Sequence, residues 1–190
     1  TEIFTRFIHK RTTGIFYNEL FVESLCLFFI LKKLFIDACQ MKQGIIGKHI
    51  FNWVIWPDFR VIPSPEEAVM RYRSIALGQS VRLGGRTITA LPAEHTVPAV
   101  GYQLDSGSGS LVFTGDTTIN DAFWPVVNSI ANLRFLLIET AFPNHERRLA
   151  EVSKHLCPSM LATELTKLTI AAEVYVSHLK PGQSELTMAE

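Results

Sequence analysis

Three side chains that can bind metals stand where predicted β-strands end, and this placement constrains the fold more than any other feature of the chain. They are His95, Asp116 and His178, and each follows a run of apolar or β-branched residues. Because strand ends on one side of a sheet converge, residues far apart in the sequence can meet there. Two imidazoles and one carboxylate suit a borderline ion such as zinc. The pattern therefore predicts a metal site, although any one such histidine alone is more often structural.

From Gly47 onward, the sequence pattern predicts short strands joined by tight turns. Ser80–Leu83 and Arg86–Leu91 flank two glycines that tolerate the positive φ angles of a tight hairpin. A second hairpin is predicted from Val100–Leu104 and Ser110–Thr114, which a polar Gly/Ser segment joins. Both hairpins require antiparallel strands.

Strands and helices alternate in the last third of the chain. Helices are predicted from Asn120 to Ala131, with Asn120 or Asp121 as N-cap, and from Pro158 to Leu168. Phe135–Ile138 between them is typical of a buried strand. With the hairpins before them, these elements predict an α/β fold with a mixed sheet and helices packed outside.

The first 47 residues have a different composition, since they are rich in Phe, Ile, Leu and Lys and contain no proline. A possible amphipathic helix runs from about Asn18 to Ala38. We place a boundary between Met41 and Lys48, which divides the chain into an unassigned leader (1–47) and a domain (48–190). The first residue is Thr, so a processed chain or a missing true beginning is the expectation.

Charge and cysteine content narrow the class of protein. Lys plus Arg and Asp plus Glu number 18 each, so no net field favours nucleic acid or an anionic membrane. Cys26, Cys39 and Cys157 are odd in number and widely spaced, which argues against a disulfide framework and favours the cytoplasm. We interpret Cys157 as a small buried residue near a helix start. The apolar run Leu25–Leu31 is too short to span a bilayer.

Hydrolysis is the natural use of such a metal site. Divalent ions held by His and Asp lower the pKa of bound water to about 7 and polarise phosphate or carbonyl oxygens. Asp116 follows Gly115, which permits close backbone approach, and its two oxygens could be shared by two ions. The alternative for this segment is a simple turn closed by an Asp side-chain hydrogen bond.

Five segments carry a family resemblance. Taken in order, they resemble the later motifs of the metallo-β-lactamase-fold hydrolases, and their order and spacing are similar to those of the class II cyclic-nucleotide phosphodiesterase branch. The resemblance runs from about Lys48 to the C-terminus and includes the aromatic segment His49–Phe59. The segments are Ala93–Tyr102 (AEHTVPAVGY), Leu111–Thr117 (LVFTGDT), Leu136–Phe142 (LLIETAF), Ser153–Leu156 (SKHL) and Val176–Pro181 (VSHLKP).

This resemblance implies an αββα sandwich and a site for two metal ions. His95 would be the third histidine of the first metal site, Asp116 would bridge the two metals, and His178 would complete the second site. Two zinc ions are expected, with manganese or iron as alternatives. The implied activity is hydrolysis of a 3′,5′-cyclic nucleotide, cyclic AMP first, by metal-activated hydroxide. The implied partner is a small nucleotide, with neither nucleic acid nor membrane.

The resemblance also assigns catalytic roles to Asp116, His155 and Glu139. His155 would lie near the substrate or support a ligand, and capping the following helix is the alternative. Glu139 would support the metal histidines through hydrogen bonds, and a buried pair with Arg134 or Lys154 is the alternative. In the related transfer-RNA 3′-processing nucleases a catalytic His precedes this Glu, where this chain has Ile138.

The aromatic segment carries a further expectation. The aromatic residues Phe51, Trp53, Trp56 and Phe59 could stack a nucleobase, with His49 and Asn52 at the rim of the pocket, or could be core.

The His-x-His-x-Asp-His loop that opens this family's site is absent from the sequence, which predicts a fold incomplete on its N-terminal side, with an exposed sheet edge and possible homodimerisation. A non-catalytic remnant or interaction protein is then the alternative function. An RNA 3′-processing nuclease or a thioester or lactam hydrolase is a further alternative.

Overall fold

The chain divides into two compact units. The computed structural model describes residues 34–37 and 40–190. The first unit includes the described residues 34–36 and 45–72, and the second includes residues 37, 40–44 and 73–190. The predicted division between residues 47 and 48 stays a prediction.

A two-stranded sheet belongs to the N-terminal part of the described chain. Its strands are β1 (Leu34–Asp37) and β2 (Met70–Arg73). Helix α1 (Gln40–His49) follows β1. The helix predicted to end at Ala38 is wrong over residues 34–37, because pairing with a distant strand overrides the local pattern there. The rest of that predicted helix, residues 18–33, lies outside the described residues.

The aromatic segment after α1 is only partly packed. Phe51 and Phe59 meet edge to face, with ring centroids 5.7 Å apart. Trp53 and Trp56 are 64% and 42% exposed, so a core role is wrong for these two. The Asn52 side-chain oxygen accepts hydrogen bonds from the backbone N–H groups of Val54 and Ile55, at 3.0 and 3.1 Å. Nucleobase stacking by this segment stays a prediction.

A six-stranded mixed sheet forms the second unit. In sheet order its strands are β3 to β8, each beside its neighbour in the chain. Strands β3 to β6 are antiparallel, and the pairs β6–β7 and β7–β8 are parallel. The strands are β3 (Ser80–Leu83), β4 (Arg86–Pro92), β5 (Val100–Asp105), β6 (Ser110–Phe113), β7 (Leu133–Glu139) and β8 (Glu173–Ser177).

Both predicted hairpins are confirmed. Gly84 and Gly85 have φ angles of 55° and 76°, a backbone that residues with side chains rarely adopt. In the second hairpin, an Asp105 carboxylate oxygen accepts a hydrogen bond from the N–H of Gly107 at 2.8 Å. The polar turn therefore closes on its own side chains.

The helices agree with the sequence in place but not in length. Helix α2 (Phe123–Asn128) lies inside the predicted 120–131 segment, and its N-cap is Ala122, so the predicted caps Asn120 and Asp121 are wrong. The backbone N–H of Asn120 instead donates to a buried carboxylate oxygen of Glu164 at 3.1 Å. A tertiary acceptor thus replaces a local cap.

Four further helical elements belong to the second half of this unit. Helix α4 (Pro158–Leu165) begins at the predicted proline and ends before Leu168. A 3₁₀ turn (Asn144–Glu146) leads into α3 (Arg147–Ser153), and α5 (Ser184–Ala189) closes the chain. Cys157 precedes α4 and is fully buried, which confirms its predicted packing role.

The main core fills the space between the sheet and the helices. Alternate residues of β6 and β7 point to one face, and α2, α3 and α4 contribute the opposing side chains. The α/β class is therefore confirmed. No helix in the described ranges is long and apolar enough to cross a membrane. The buried residues of this core include Leu91, Val112, Phe123, Trp124, Val127, Leu136, Ile138 and Leu156.

Candidate metal centre

Four strands of the sheet end at the same edge. Because β4 and β6 are both antiparallel to β5, and β7 and β8 are parallel to β6, these four strands run in one direction. His95 and Asp116 come shortly after β4 and β6, Glu139 is the last residue of β7, and His178 directly follows β8. The predicted convergence of strand ends is present.

Asp116 lies between two histidines. Its Oδ2 is 4.0 Å from Nε2 of His95, and its Oδ1 is 3.2 Å from Nδ1 of His178. Gly115 has a φ of 63°, and an added Cβ there would come no closer than 3.5 Å to the Val100 carbonyl. The glycine is therefore needed for its backbone angle, and the close backbone approach to a metal ion stays a prediction.

A backbone carbonyl group orients the ring of His95. Its Nδ1 is 3.1 Å from the carbonyl oxygen of Lys154, which can only accept, so Nδ1 carries the proton and Nε2 faces Asp116 with its lone pair. Lys154 ends α3 in the left-handed conformation, with φ 55° and ψ 51°. Its ammonium group pairs with the carboxylate of Glu94.

His155 belongs to the same cluster. Its ring lies edge-on to that of His95, with centroids 4.9 Å apart, and stacks on that of His178 at 5.1 Å. Its Nδ1–H donates to Oε1 of Glu139 at 2.6 Å, which leaves Nε2 free. The alternative of a helix cap is wrong, because Cys157 occupies the N-cap of α4.

Glu139 is fully buried behind the histidines. Besides His155, it accepts hydrogen bonds from the backbone N–H groups of Thr117 at 2.8 Å and Leu156 at 3.2 Å. Burial raises the pKa of Glu139 to about 7, and these two N–H donors oppose the rise. The alternative pairing with Arg134 or Lys154 is wrong, because these polar contacts account for the carboxylate and Lys154 pairs with Glu94.

Burial also acts on two of the imidazoles. It lowers the pKa of His155 and of His178, while the negative charge of Asp116 raises both. The net effect is a lower pKa for both histidines. A lower pKa favours the neutral ring, which is the form that binds a metal ion.

Two residues that the sequence did not single out complete the surroundings. The Thr117 hydroxyl accepts from the N–H of Glu94 at 3.0 Å, so this threonine joins the loops after β4 and β6. The Lys180 ammonium lies 3.2 Å from Nε2 of His178. Both residues lie inside motifs of the sequence, Leu111–Thr117 and Val176–Pro181, and this position could have identified them.

The donor set fits a divalent ion. One ligand atom each from His95, Asp116 and His155 lies within 4.8 Å of the others. Two ligands of one tetrahedral zinc ion, each about 2.0–2.1 Å from it, are about 3.3–3.4 Å apart. An ion would therefore need to draw these side chains together by up to about 1.5 Å.

Known solved structures share this architecture. The metallo-β-lactamase fold protein YhfI from Bacillus subtilis is similar with a TM-score of 0.58 and 19% identity, over 84% of this chain and 56% of that one. The fold is the metallo-β-lactamase fold. Unliganded yeast PDE1 has a TM-score of 0.65 and 16% identity over 97% of this chain and 55% of that one. The predicted fold class is thus confirmed.

The same fold joins the chain to a third structure. The short form of human tRNase Z is similar with a TM-score of 0.55 and 15% identity, over 80% of this chain and 61% of that one. The chain spans little more than half the length of these metallo-β-lactamase-fold structures. No family model and no curated protein matches the sequence.

Proposed function

We propose that His95, Asp116, His155 and His178 form a divalent-metal site and that the protein is a metal-dependent hydrolase of phosphodiester bonds. The observation that supports the proposal most is the position of Asp116, which has one carboxylate oxygen toward His95 and the other toward His178. A carboxylate placed in this way could be shared by two ions. Zinc is the first candidate for a site of imidazoles and one carboxylate, with manganese or iron next.

The chain's own residues would prepare the ligands. His95 and His155 each use Nδ1 in a hydrogen bond, to the Lys154 carbonyl and to Glu139, and each keeps Nε2 for an ion. Such partners hold the tautomer and the ring orientation of a metal-binding histidine. A divalent ion bound there would lower the pKa of water and polarise phosphoryl oxygens. Glu139 would act by positioning His155.

A 3′,5′-cyclic nucleotide, cyclic AMP first, is the substrate that we propose. The five sequence motifs resemble the class II cyclic-nucleotide phosphodiesterases, and yeast PDE1 shares the fold. Transfer RNA is less well supported. The chain has no net charge, and Ile138, at the position of the nuclease histidine, is 2% exposed within the main core.

Elemental mass spectrometry combined with a cyclic AMP hydrolysis assay tests the proposal. Losing a residue that only supports a ligand typically costs about 10–100-fold in affinity or activity, so His95→Ala and Asp116→Ala should each cost more than about 100-fold. His145→Ala, which removes a 60% exposed histidine outside the group of His95, Asp116 and His155, should behave as wild type. Near-zero metal in the wild type would contradict the proposal. Metal binding without any phosphodiester hydrolysis would support the non-catalytic alternative.

A further inference from the structure

Lys180 is a cation at the candidate metal centre that pairs with no carboxylate in the described part of the chain. Its ammonium nitrogen lies 3.2 Å from Nε2 of His178 and 5.4 Å from the centre of the Phe142 ring. Among the residues that the structure describes, no carboxylate lies within 4.0 Å of it. The other lysine at this edge, Lys154, is neutralised by Glu94. Within the described ranges, Lys180 is therefore not part of an ion pair.

The backbone that carries this ammonium is constrained by its surroundings. Lys180 is half-buried, and Pro181 restricts the backbone directly after it. Its carbonyl accepts a hydrogen bond from the N–H of Gln183 at 3.3 Å, which closes the turn after β8. An ammonium has three N–H donors, and at most one of them can point toward His178, so at least two remain for a ligand.

Lys180 and Asp116 lie on the two sides of the His178 ring. The ammonium of Lys180 is 3.2 Å from Nε2, and Oδ1 of Asp116 is 3.2 Å from Nδ1. Asp116 adds negative charge at the same place and would repel an anionic substrate. A cation on the other side of the ring offsets part of that repulsion.

We infer that the Lys180 ammonium binds a non-bridging oxygen of an anionic phosphate ester, and that it makes the site selective for charged over neutral esters. This inference rests on the proposed function, because it assigns the substrate class of the same site. Lysine is a common phosphate-binding residue that acts as a point charge. Hydrogen bonds to charged groups correspond to about a tenfold change in affinity or more.

Calorimetric titration with inorganic phosphate tests the binding step without requiring hydrolysis. We expect Lys180→Gln to bind phosphate about tenfold more weakly than wild type or worse, and Lys180→Arg to keep most of the affinity. Arg148→Gln removes the same charge from a side chain that is 85% exposed on α3, and it should bind as wild type. Equal phosphate affinity in Lys180→Gln and wild type, or no phosphate binding by wild type, would overturn the inference.

Rates with two chromogenic esters separate this inference from the proposed function. Lys180→Gln should lower kcat/KM for bis(4-nitrophenyl) phosphate about tenfold or more and leave that for neutral 4-nitrophenyl acetate unchanged. If no ester is hydrolysed but phosphate binding still depends on Lys180, the proposed function fails and the inference stands. Metal content is measured in each variant. A parallel loss of metal in Lys180→Gln would mean that the lysine acts through His178, and would overturn the inference.

Discussion

Glu139 shows how one buried carboxylate can hold a whole site together. Its two oxygens accept hydrogen bonds from the N–H of Thr117, which follows β6, and from the N–H of Leu156, which precedes α4. They also accept a hydrogen bond from the ring of His155. A buried acceptor of this kind is costly to remove, because each orphaned N–H keeps its desolvation penalty. The site therefore depends on this residue for geometry before any chemistry is considered.

Replacing Glu139 by alanine should destabilise the protein. The N–H groups of Thr117 and Leu156 would lose their acceptor, at a cost of about 1–3 kcal/mol each. Glu139→Gln keeps one carbonyl oxygen and should lose less. Urea unfolding measures the free energy of unfolding of both variants. Glu185→Ala, at an exposed glutamate, is the control and should change it by less than about 0.5 kcal/mol. Equal stability of Glu139→Ala and wild type would contradict this role.

Two elements are tied together by a second buried carboxylate. Glu164 on α4 is 2% exposed, and its Oε2 accepts a 2.8 Å hydrogen bond from Nε1 of Trp124 on α2. Lys167 lies 2.5 Å from the other oxygen. The same oxygen that binds Trp124 also receives the Asn120 N–H, so the start of α2 is set by α4.

Trp124→Phe should weaken this tie. It removes the indole donor to a buried carboxylate and leaves a gap, and we expect a loss of about 1.5–3 kcal/mol in the free energy of unfolding. Tyr175→Phe is the matched control, because it also removes an aromatic donor to a glutamate, but at the surface. Chemical unfolding should show a change of less than about 1 kcal/mol for the control. Equal losses in the two variants would argue against the buried bond.

Close contact between β5 and β6 explains why a glycine is needed at position 101. A Cβ at Gly101 would lie 2.9 Å from the Phe113 carbonyl oxygen and 3.0 Å from that of Thr114. These are backbone atoms of the neighbouring strand, which cannot move aside without disturbing the sheet. The strand therefore accepts no side chain at this position.

Gly101→Ala and Gly44→Ala should change stability in opposite directions. The first forces the two strands apart, at about 1–3 kcal/mol. The second places a methyl group where no atom lies within 4 Å, inside α1, where alanine is favoured over glycine by up to about 1 kcal/mol. Midpoints of urea unfolding give both signs. A stabilised Gly101→Ala protein would contradict the observed strand spacing.

Metal binding should appear in the stability of the whole molecule. A ligand that binds only the folded chain raises its stability by about 2.7 kcal/mol at 100 times the dissociation constant. For a chain of this size that corresponds to an increase in Tm of about 5–10 °C. Differential scanning fluorimetry with added zinc should show the increase in wild type and His145→Ala, and not in Asp116→Ala. An unchanged Tm in wild type would count against a metal site.

The expectations at the scale of the cell and the assembly are still predictions. They are the cytoplasmic location, the homodimer and the absence of nucleic-acid and membrane partners. The short length of the chain relative to the solved structures of the same fold makes its activity as a separate molecule a proposal. Light scattering across a range of protein concentrations measures the oligomeric state directly.

Local patterns predicted most of the second unit. Two hairpins, the strands β7 and β8 and the start of α4 follow from alternation, paired glycines and a proline, because these signals act between near neighbours. The ends of α2 and the strand at 34–37 did not follow, since Glu164 and β2 are distant partners that no local window contains. The same limit applies to Lys180, whose place beside His178 depends on the turn after β8.

The sequence by itself determined the fold class, the strand ends and the residue types able to bind a metal. Only the tertiary structure decided that four strands run in one direction, and that His155 belongs to the cluster while Ile138 belongs to the core. It also decided which nitrogen of His95 and which nitrogen of His178 faces Asp116. The residue types determine which side chains can bind a metal ion. Whether they form a site depends on distances between segments that come together only when the sheet has formed.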